Sequence, residues 1–191
     1  MVSHLDSGHL RKTIRQQRKN LTTKQRKNFA FLANLHLPKL AKILPKNAKI
    51  GLYLDNFGEL PTGVIVKFCQ KHGFMPYLPI TKKETALTFS PVFYDLKKIP
   101  LKRHALGMKE PFAKNTVLAS QLDCIICPLV AVDQLGNRLG MGGGFYDRTF
   151  ATFRGLKVGW CYDFQMVERL VVNDWDLGVD MVVTNKGIIR F

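Results

Sequence analysis

Residues 123–160 read DCIICPLVAVDQLGNRLGMGGGFYDRTFATFRGLKVGW, and the order of textures in this stretch decides the fold class. DCIICPLVAVD (123–133) is a near-continuous apolar run, the pattern of a strand covered on both faces. NRLGMGGG follows as a glycine-rich loop, FYDRTFATF as a helix of moderate length, and LKVGWCYDF (156–164) as a second apolar strand. Strand, loop, helix, strand is the parallel crossover unit, since parallel neighbours cannot be joined by a tight hairpin.

The same order recurs upstream. KIGLYL (49–54) reads as a strand; Pro61 opens a helical stretch through Val64, Ile65, Phe68 and Cys69; Gly73 stops it before the strand FMPYLP (74–79). Downstream, VDMVVTNKGIIRF (179–191) has the form of a hairpin turning at Asn185 to Gly187. At the front, Leu10, Ile14 and Leu21 mark a basic amphipathic helix, and Thr22 to Gln25 fits a capping box. That box starts a second helix through Phe29, Leu32, Ala33 and His36, which Pro38 ends or kinks. Residues 80–118 are the least periodic, with LTFSPVFYDL as strand and turn material and GMKEP (107–111) as a loop. The expectation is a three-layer α/β/α fold with a mostly parallel central sheet, an N-terminal helical pair (1–45) packed on it and a C-terminal strand hairpin. All of it forms one domain spanning 1–191.

Charge narrows the class of partner. Lys and Arg outnumber Asp and Glu 29 to 14, a net +15 that raises nucleic acid, anionic membrane or a polyanionic small ligand. The excess is front-loaded: +11 in residues 1–50, +5 in 51–114 and −1 in 115–191. RKTIRQQRKNLTTKQRK (11–27) has no aromatics for base stacking, and no helix-turn-helix, zinc-finger or RNA-recognition signature occurs, so nucleic acid is not the expected partner. No stretch approaches the roughly 18 apolar residues of a membrane span, and the first residues lack the apolar core of a signal peptide. A cytosolic protein with no membrane partner, a monomer, is the default.

Cysteine and histidine offer little. Cys124 and Cys127 form C-x-x-C, but three residues apart on a strand they face opposite ways, so they read with Cys69 and Cys161 as buried structural thiols. His4, His9, His36, His72 and His104 are scattered and read as incidental.

The chemistry concentrates in Gly136-Asn137-Arg138-Leu139-Gly140-Met141-Gly142-Gly143-Gly144-Phe145-Tyr146-Asp147-Arg148. Four glycines in the five positions 140–144, between strand and helix, let backbone N–H groups approach an anion unobstructed, with the helix dipole behind them. Arg138 and Arg148 bracket the loop with charge for phosphate oxygens, and Asp147 either holds a metal ion or orients one of the arginines. Neither G-x-x-x-x-G-K-[ST] nor G-x-G-x-x-G fits. A charged side chain beside such a loop is expected to contribute little to the core, so Arg138 is placed at the surface. Phe145, Tyr146, Trp160 and Tyr162 are each either stacking residues or core.

GNRLGMGGGFYDR, preceded by PLVAVD (128–133), resembles the signature of 5-formyltetrahydrofolate cyclo-ligases, also called methenyltetrahydrofolate synthetases. The resemblance runs from about residue 7 to residue 184. It implies ATP-dependent, Mg²⁺-assisted closure of 5-formyltetrahydrofolate, monoglutamyl or polyglutamyl, to 5,10-methenyltetrahydrofolate, with release of ADP and phosphate. Arg11 in Leu10-Arg11 then matches an ATP-contacting arginine; four residues earlier, where many members have lysine, stands Ser7, with Lys12 or Arg15 as alternatives for that contact. The implied ATP site is Ser7, Arg11, Arg138, Leu139, Gly140, Met141, Gly142, Gly143, Gly144, Phe145 and Tyr146. The implied folate site is Leu54 and Glu59 of YLDNFGELPT, with Gly142 and Tyr146. Arg138 and Arg148 are the implied catalytic residues, and Asp147 and Asp180 the implied metal ligands. Glu110-Pro111 matches the family's E-P pair, and Gln165 a glutamine after GWCYDF. Where some members have lysine this chain has Gly143, leaving that phosphate contact to Arg138 or Arg148.

Overall fold

The computed structural model describes residues 6–92, 99–103, 107–112 and 115–191. The chain opens with α1 (Ser7–Asn20), capped by the Asp6 carboxylate, which accepts from the His9 N–H. The Thr22–Gln25 capping box is formed and starts α2 (Thr23–Asn34). Pro38 lies in the first turn of a separate short helix, α3 (Leu37–Ala41), where its missing N–H costs nothing; it begins a helix. Next come β1 (Lys49–Gly51), α4 (Gly63–His72), stopped by left-handed Gly73 (φ 70°), and β2 (Met75–Ile80). The middle contributes β3 (Thr88–Pro91), β4 (Leu101–Arg103), β5 (Lys109–Pro111) and β6 (Val117–Leu118). The remainder is β7 (Cys124–Cys127), β8 (Ala131–Val132), β9 (Arg138–Leu139), α5 (Phe145–Phe150), β10 (Leu156–Trp160), β11 (Met181–Thr184) and β12 (Gly187–Arg190). Residues 93–96 of the LTFSPVFYDL stretch, and His4 and His104, lie outside the described residues.

The main sheet has the order β12-β11-β10-β7-β1-β2-β3-β6. Its inner five strands, β11 to β2, are parallel, while β12 at one end and β3 at the other run against them, and β6 pairs antiparallel with β3. The sheet is therefore mixed at its edges around a parallel centre, with the hairpin expected at 179–191 forming one edge. Alternation along β7 sorts side chains into two cores. Cys124 and Ile126 join Ala33, Leu37, Ile65 and Phe68 of α2 to α4 on one face. Ile125 and Cys127 join Phe150 and Phe153, at and after α5, on the other. The two cysteines of the C-x-x-C thus do face opposite ways, and burial pushes the Cys127 thiol up to about 11.

Three elements differ from the sequence reading. DCIICPLVAVD is two strands: Pro128 has no N–H for the ladder, so β7 stops at Cys127 and β8 leaves the sheet to pair with β9. GMKEP is not wholly a loop, because Lys109–Pro111 pairs with Leu101–Arg103, a partner the local pattern did not reveal. Helix α5 is only six residues, since the chain must turn at Gly155, where a Cβ would lie 2.6 Å from the Asp123 carbonyl, to enter β10.

These features decide where chemistry can occur. In a parallel sheet, ligands sit at the carboxyl ends of the strands, and here those ends are Leu52 to Leu54, Pro79 to Thr81, Pro128 and Tyr162. Helix α1 crosses that end, packing Leu10 and Ile14 on Val130, Ala131, Leu139 and Leu170.

Candidate active site

A cleft of about 1290 Å³ opens at the carboxyl ends of the strands. Its walls come from α1 (Ser7, Arg11, Arg15), the segment after β1 (Leu54, Asn56, Glu59), β2 and β5 (Pro79, Glu110), and the whole run Arg138 to Arg148. Every residue implied for ATP or folate lines this one space, with Asp147. Of the aromatic candidates, Phe145 and Tyr146 line it, while Trp160 and Tyr162 are core residues whose polar ends bond to Leu60 and Glu59 carbonyls. None of the described histidines lines it.

The glycine turn is held from both sides. Asp133 sets up the β8–β9 connection by accepting from the Leu135, Asn137 and Leu170 N–H groups and the Asn137 amide; burial opposes its charge, but these bonds hold its carboxyl below the ordinary value. Arg11 Nε donates to the Gly140 carbonyl at 2.8 Å, and Arg148 Nη2 to the Gly143 carbonyl at 2.8 Å. Gly142 (φ 94°) and Gly144 (φ 64°) have positive φ, the backbone that an anion-binding nest of successive amides requires. Helix α5 has only six residues, so its dipole is a weak source of anion attraction.

Arg138 departs from expectation. Its side chain is 3% exposed, bonded to Asp147 at 2.5 Å and lying over the Tyr146 and Phe150 rings at 5.7 and 5.6 Å. Pairing in β9 points it beneath the turn, and its Nε has no partner. Asp147 therefore takes the role of orienting an arginine, and its Oδ1 also receives the Leu177 N–H at 3.4 Å.

Asp180 stands outside the cleft, beside a smaller pocket of about 400 Å³. It accepts the Lys157 N–H at 2.7 Å and pairs with the Lys157 ammonium at 3.1 Å, locking β10 to β11. The carboxylates that do reach the cleft from this part of the chain are Asp174 and Asp176, in a loop with Asn173, Trp175 and Leu177. An N-D-W-D turn, with Asn173 donating to Asp176 from backbone and amide, was the available signal. Among the described residues no group of three or more His, Cys, Asp or Glu converges on one point. Gln165 is buried, donating to the Leu129 and Val130 carbonyls.

Glu59 sits at the other end. Tyr162 donates to its carbonyl, Trp160 to that of Leu60, and its own Oε2 accepts the Asn56 N–H at 2.9 Å. Burial raises its carboxyl to about 7, against the pull of the Asn56 bond and of Arg18. Arg18 escaped the sequence reading inside a basic run, yet it follows Leu10 and Ile14 on the apolar face of α1, and it is 1% exposed. Its Nη2 donates to the Leu129 carbonyl and its Nη1 lies 3.9 Å from Glu59. Across the cleft, Glu110 accepts from Thr81 twice and pairs with Lys102 at 3.1 Å; burial works against its charge, but these contacts lower its carboxyl.

Residues 4–185 match the model of the 5-formyltetrahydrofolate cyclo-ligase family. The chain is 34% identical over 180 residues to the 5-formyltetrahydrofolate cyclo-ligase of Escherichia coli K12, covering 92% of this chain and 98% of that one. It is 35% identical over 174 residues to the Haemophilus influenzae protein of the same name, covering 88% and 91%. Its fold matches the solution structure of Aquifex aeolicus 5,10-methenyltetrahydrofolate synthetase with a TM-score of 0.79 and 32% identity, over 96% of this chain and 92% of that one. A cleft pairing a glycine nest with a buried carboxylate, and relatives matched along nearly the full length, lead to one conclusion: this chain belongs to the 5-formyltetrahydrofolate cyclo-ligase family.

Proposed function

We infer that the protein uses ATP to close 5-formyltetrahydrofolate to 5,10-methenyltetrahydrofolate, releasing ADP and phosphate. The observation that carries this reading is that one cleft contains both a phosphate-type nest, with Arg11, Arg138 and Arg148 around it, and the buried carboxylate of Glu59.

A formamide oxygen is a poor leaving group. Transfer of the γ-phosphoryl group to that oxygen breaks the bond to ADP and makes phosphate the leaving group. N10 then attacks the formyl carbon, the carbon–oxygen bond breaks, and the ring closes as phosphate departs with the proton that N10 gives up. The protein's task is to position the reactants and neutralise charge. Amides of residues 140–145 hold phosphate oxygens, and Arg148 and Arg11 neutralise charge from the rim, each already fixing a glycine carbonyl. Arg138 adds positive charge from beneath, oriented by Asp147. Glu59, with Leu54 beside it, accepts hydrogen bonds from pterin N–H groups, as an ionised carboxylate can.

The donor set fits a divalent ion that arrives with the nucleotide. Mg²⁺ bound to phosphates keeps several waters and needs one or two carboxylates; Asp147, whose Oδ1 is engaged by Arg138 and the Leu177 N–H, would offer its other oxygen, and Asp176 of the neighbouring loop the second carboxylate. When bound, the ion neutralises phosphate charge. Asp180, spent on Lys157, has no part in this reading.

The working unit in this reading is a single-domain monomer. Four free, buried thiols suit a reducing compartment such as the cytosol. No helix among the described residues is long and apolar enough to cross a membrane. The test is an omission assay: the near-ultraviolet absorbance of the methenyl product appears when ATP, Mg²⁺ and 5-formyltetrahydrofolate are all present. No product in the complete mixture overturns the reading.

A further inference from the structure

Behind the cleft wall, outside its lining, a buried cation joins the two halves of the site. Arg18 is 1% exposed and donates through Nη2 to the Leu129 carbonyl, which also receives Gln165 Nε2 at 2.8 Å. The next residue, Val130, donates to the Leu139 carbonyl at 2.7 Å, directly before Gly140. On its other side, Arg18 meets the Glu59 loop. Gly58 (φ 75°) fits because a Cβ there would lie 3.1 Å from the Arg18 Cβ and carbonyl. Nε and Nη1 of Arg18 have no hydrogen-bond partner, and Glu59 Oε1 lies 3.9 Å from Nη1, too far for a direct bond but close for two charges.

A buried charge needs a partner, and a guanidinium cannot escape by losing its proton. The group able to respond is the carboxylate. Of the groups around it, Asp55 on its own loop opposes ionisation, and Tyr53 after β1, Tyr146 on α5 and Tyr162 after β10 are neutral phenols. Arg18, from α1, is the cation acting on it. We propose that Arg18 is a positioning residue for the folate substrate: it supplies the buried counter-charge to the Glu59 carboxylate, holds that side chain in place for the pterin N–H groups, and ties its loop to the strands that launch the glycine turn. The proposal rests on the reading of Glu59 as the pterin acceptor.

The experiment compares wild type, Arg18→Gln, Arg18→Lys, Glu59→Gln and the double variant Arg18→Gln/Glu59→Gln, measuring KM for 5-formyltetrahydrofolate and for ATP across pH. In wild type the folate KM falls as pH rises through about 7, where Glu59 ionises. Arg18→Gln moves that midpoint up by about one unit or more and raises the folate KM at neutral pH about tenfold, leaving the ATP KM within about twofold. Arg18→Lys, which keeps a cation, shifts the midpoint less. In the Glu59→Gln background, Arg18→Gln has no further effect on the folate KM, because the group through which it acts is gone. If the single Gln variant does not fold, this last comparison decides, since removing both charges of a buried pair is tolerated far better than removing one. An unmoved midpoint, equal rises in both KM values, or effects that multiply in the double variant overturn the proposal. A wild-type folate KM in Glu59→Gln overturns the reading of Glu59 instead.

Discussion

The Arg138 guanidinium and the Asp147 carboxylate, nine residues apart, meet at 2.5 Å with the glycine turn strung between them. The pair joins the start of β9 to the first turn of α5, so five positions rich in glycine, which would otherwise be loose, close into one shape. Stability and chemistry are coupled at this point.

Arg138→Ala is therefore expected to lose both. It leaves Asp147 without its partner and opens space beside Tyr146 and Phe150; because Asp147 is 25% exposed, the cost should fall below that of a fully buried pair, about 2 kcal/mol. Arg138→Lys keeps the charge but not the fork, so its melting temperature recovers more than its kcat does. Calorimetry beside steady-state kinetics checks this, and an Ala variant with wild-type stability would contradict the staple.

Arg148 gives the contrasting case. It is half-buried at the rim, bonded to the Gly143 and Thr85 carbonyls and lying over Phe145 at 5.2 Å. Arg148→Ala should change stability by less than about 1 kcal/mol yet lower kcat/KM for ATP by roughly a hundredfold. Parallel loss of melting temperature and activity would show instead that the residue serves packing.

The glycines are not equivalent. Gly144 has φ 64° and a Cβ there would lie 2.6 Å from Arg148 Nη1, so Gly144→Ala should cost about 1–2 kcal/mol and displace Arg148. Gly143 is outside the left-handed region, and a Cβ would meet only the edge of the Phe145 ring at 3.0 Å. Its Ala variant should retain most nucleotide affinity. Calorimetric titration with ADP ranks the two, and the reverse order would argue against the nest.

Ligand-free stability should depend on pH in two directions. Glu110, Asp133 and Asp163 have lowered carboxyls, so the stability they contribute is present above their unfolded values and lost as pH falls through the folded ones. Glu59 is raised from 4.5 to about 7, so the folded state holds an extra proton between those values and stability declines as pH rises through that window. The decline is of order 3 kcal/mol, and Glu59→Gln should flatten it, although the variant leaves the buried Arg18 without its counter-charge and binds folate more weakly. Melting curves of both proteins across pH decide; a variant whose stability still declines between pH 4.5 and 7 as wild type does would mean that Glu59 is not the group responsible.

What was legible in sequence was what local chemistry dictates. The Thr22–Gln25 box, the Gly73 stop, the 179–191 hairpin and the glycine turn each carry their own signal within a few residues, and each is formed. What failed depended on partners far along the chain. Lys109–Pro111 is a strand only because Leu101–Arg103 lies beside it, and β8 turns from the sheet because β9 comes back to meet it. Asp180 and Asp176 look alike in sequence, but one is captured by Lys157 and the other sits in the loop that bonds Asp147. Arg18 was hidden by its neighbours: in a run of exposed basic residues, only its register with Leu10 and Ile14 marks it as buried.

The most direct test follows the formyl oxygen. With ¹⁸O in the formyl group of 5-formyltetrahydrofolate, the mechanism routes that atom into the departing phosphate. Mass spectrometry of the phosphate released with each methenyl product should find one ¹⁸O per molecule. Unlabelled phosphate, with the label lost to water, would contradict phosphoryl transfer to the formyl oxygen and with it the coupling of nest and folate in one cleft.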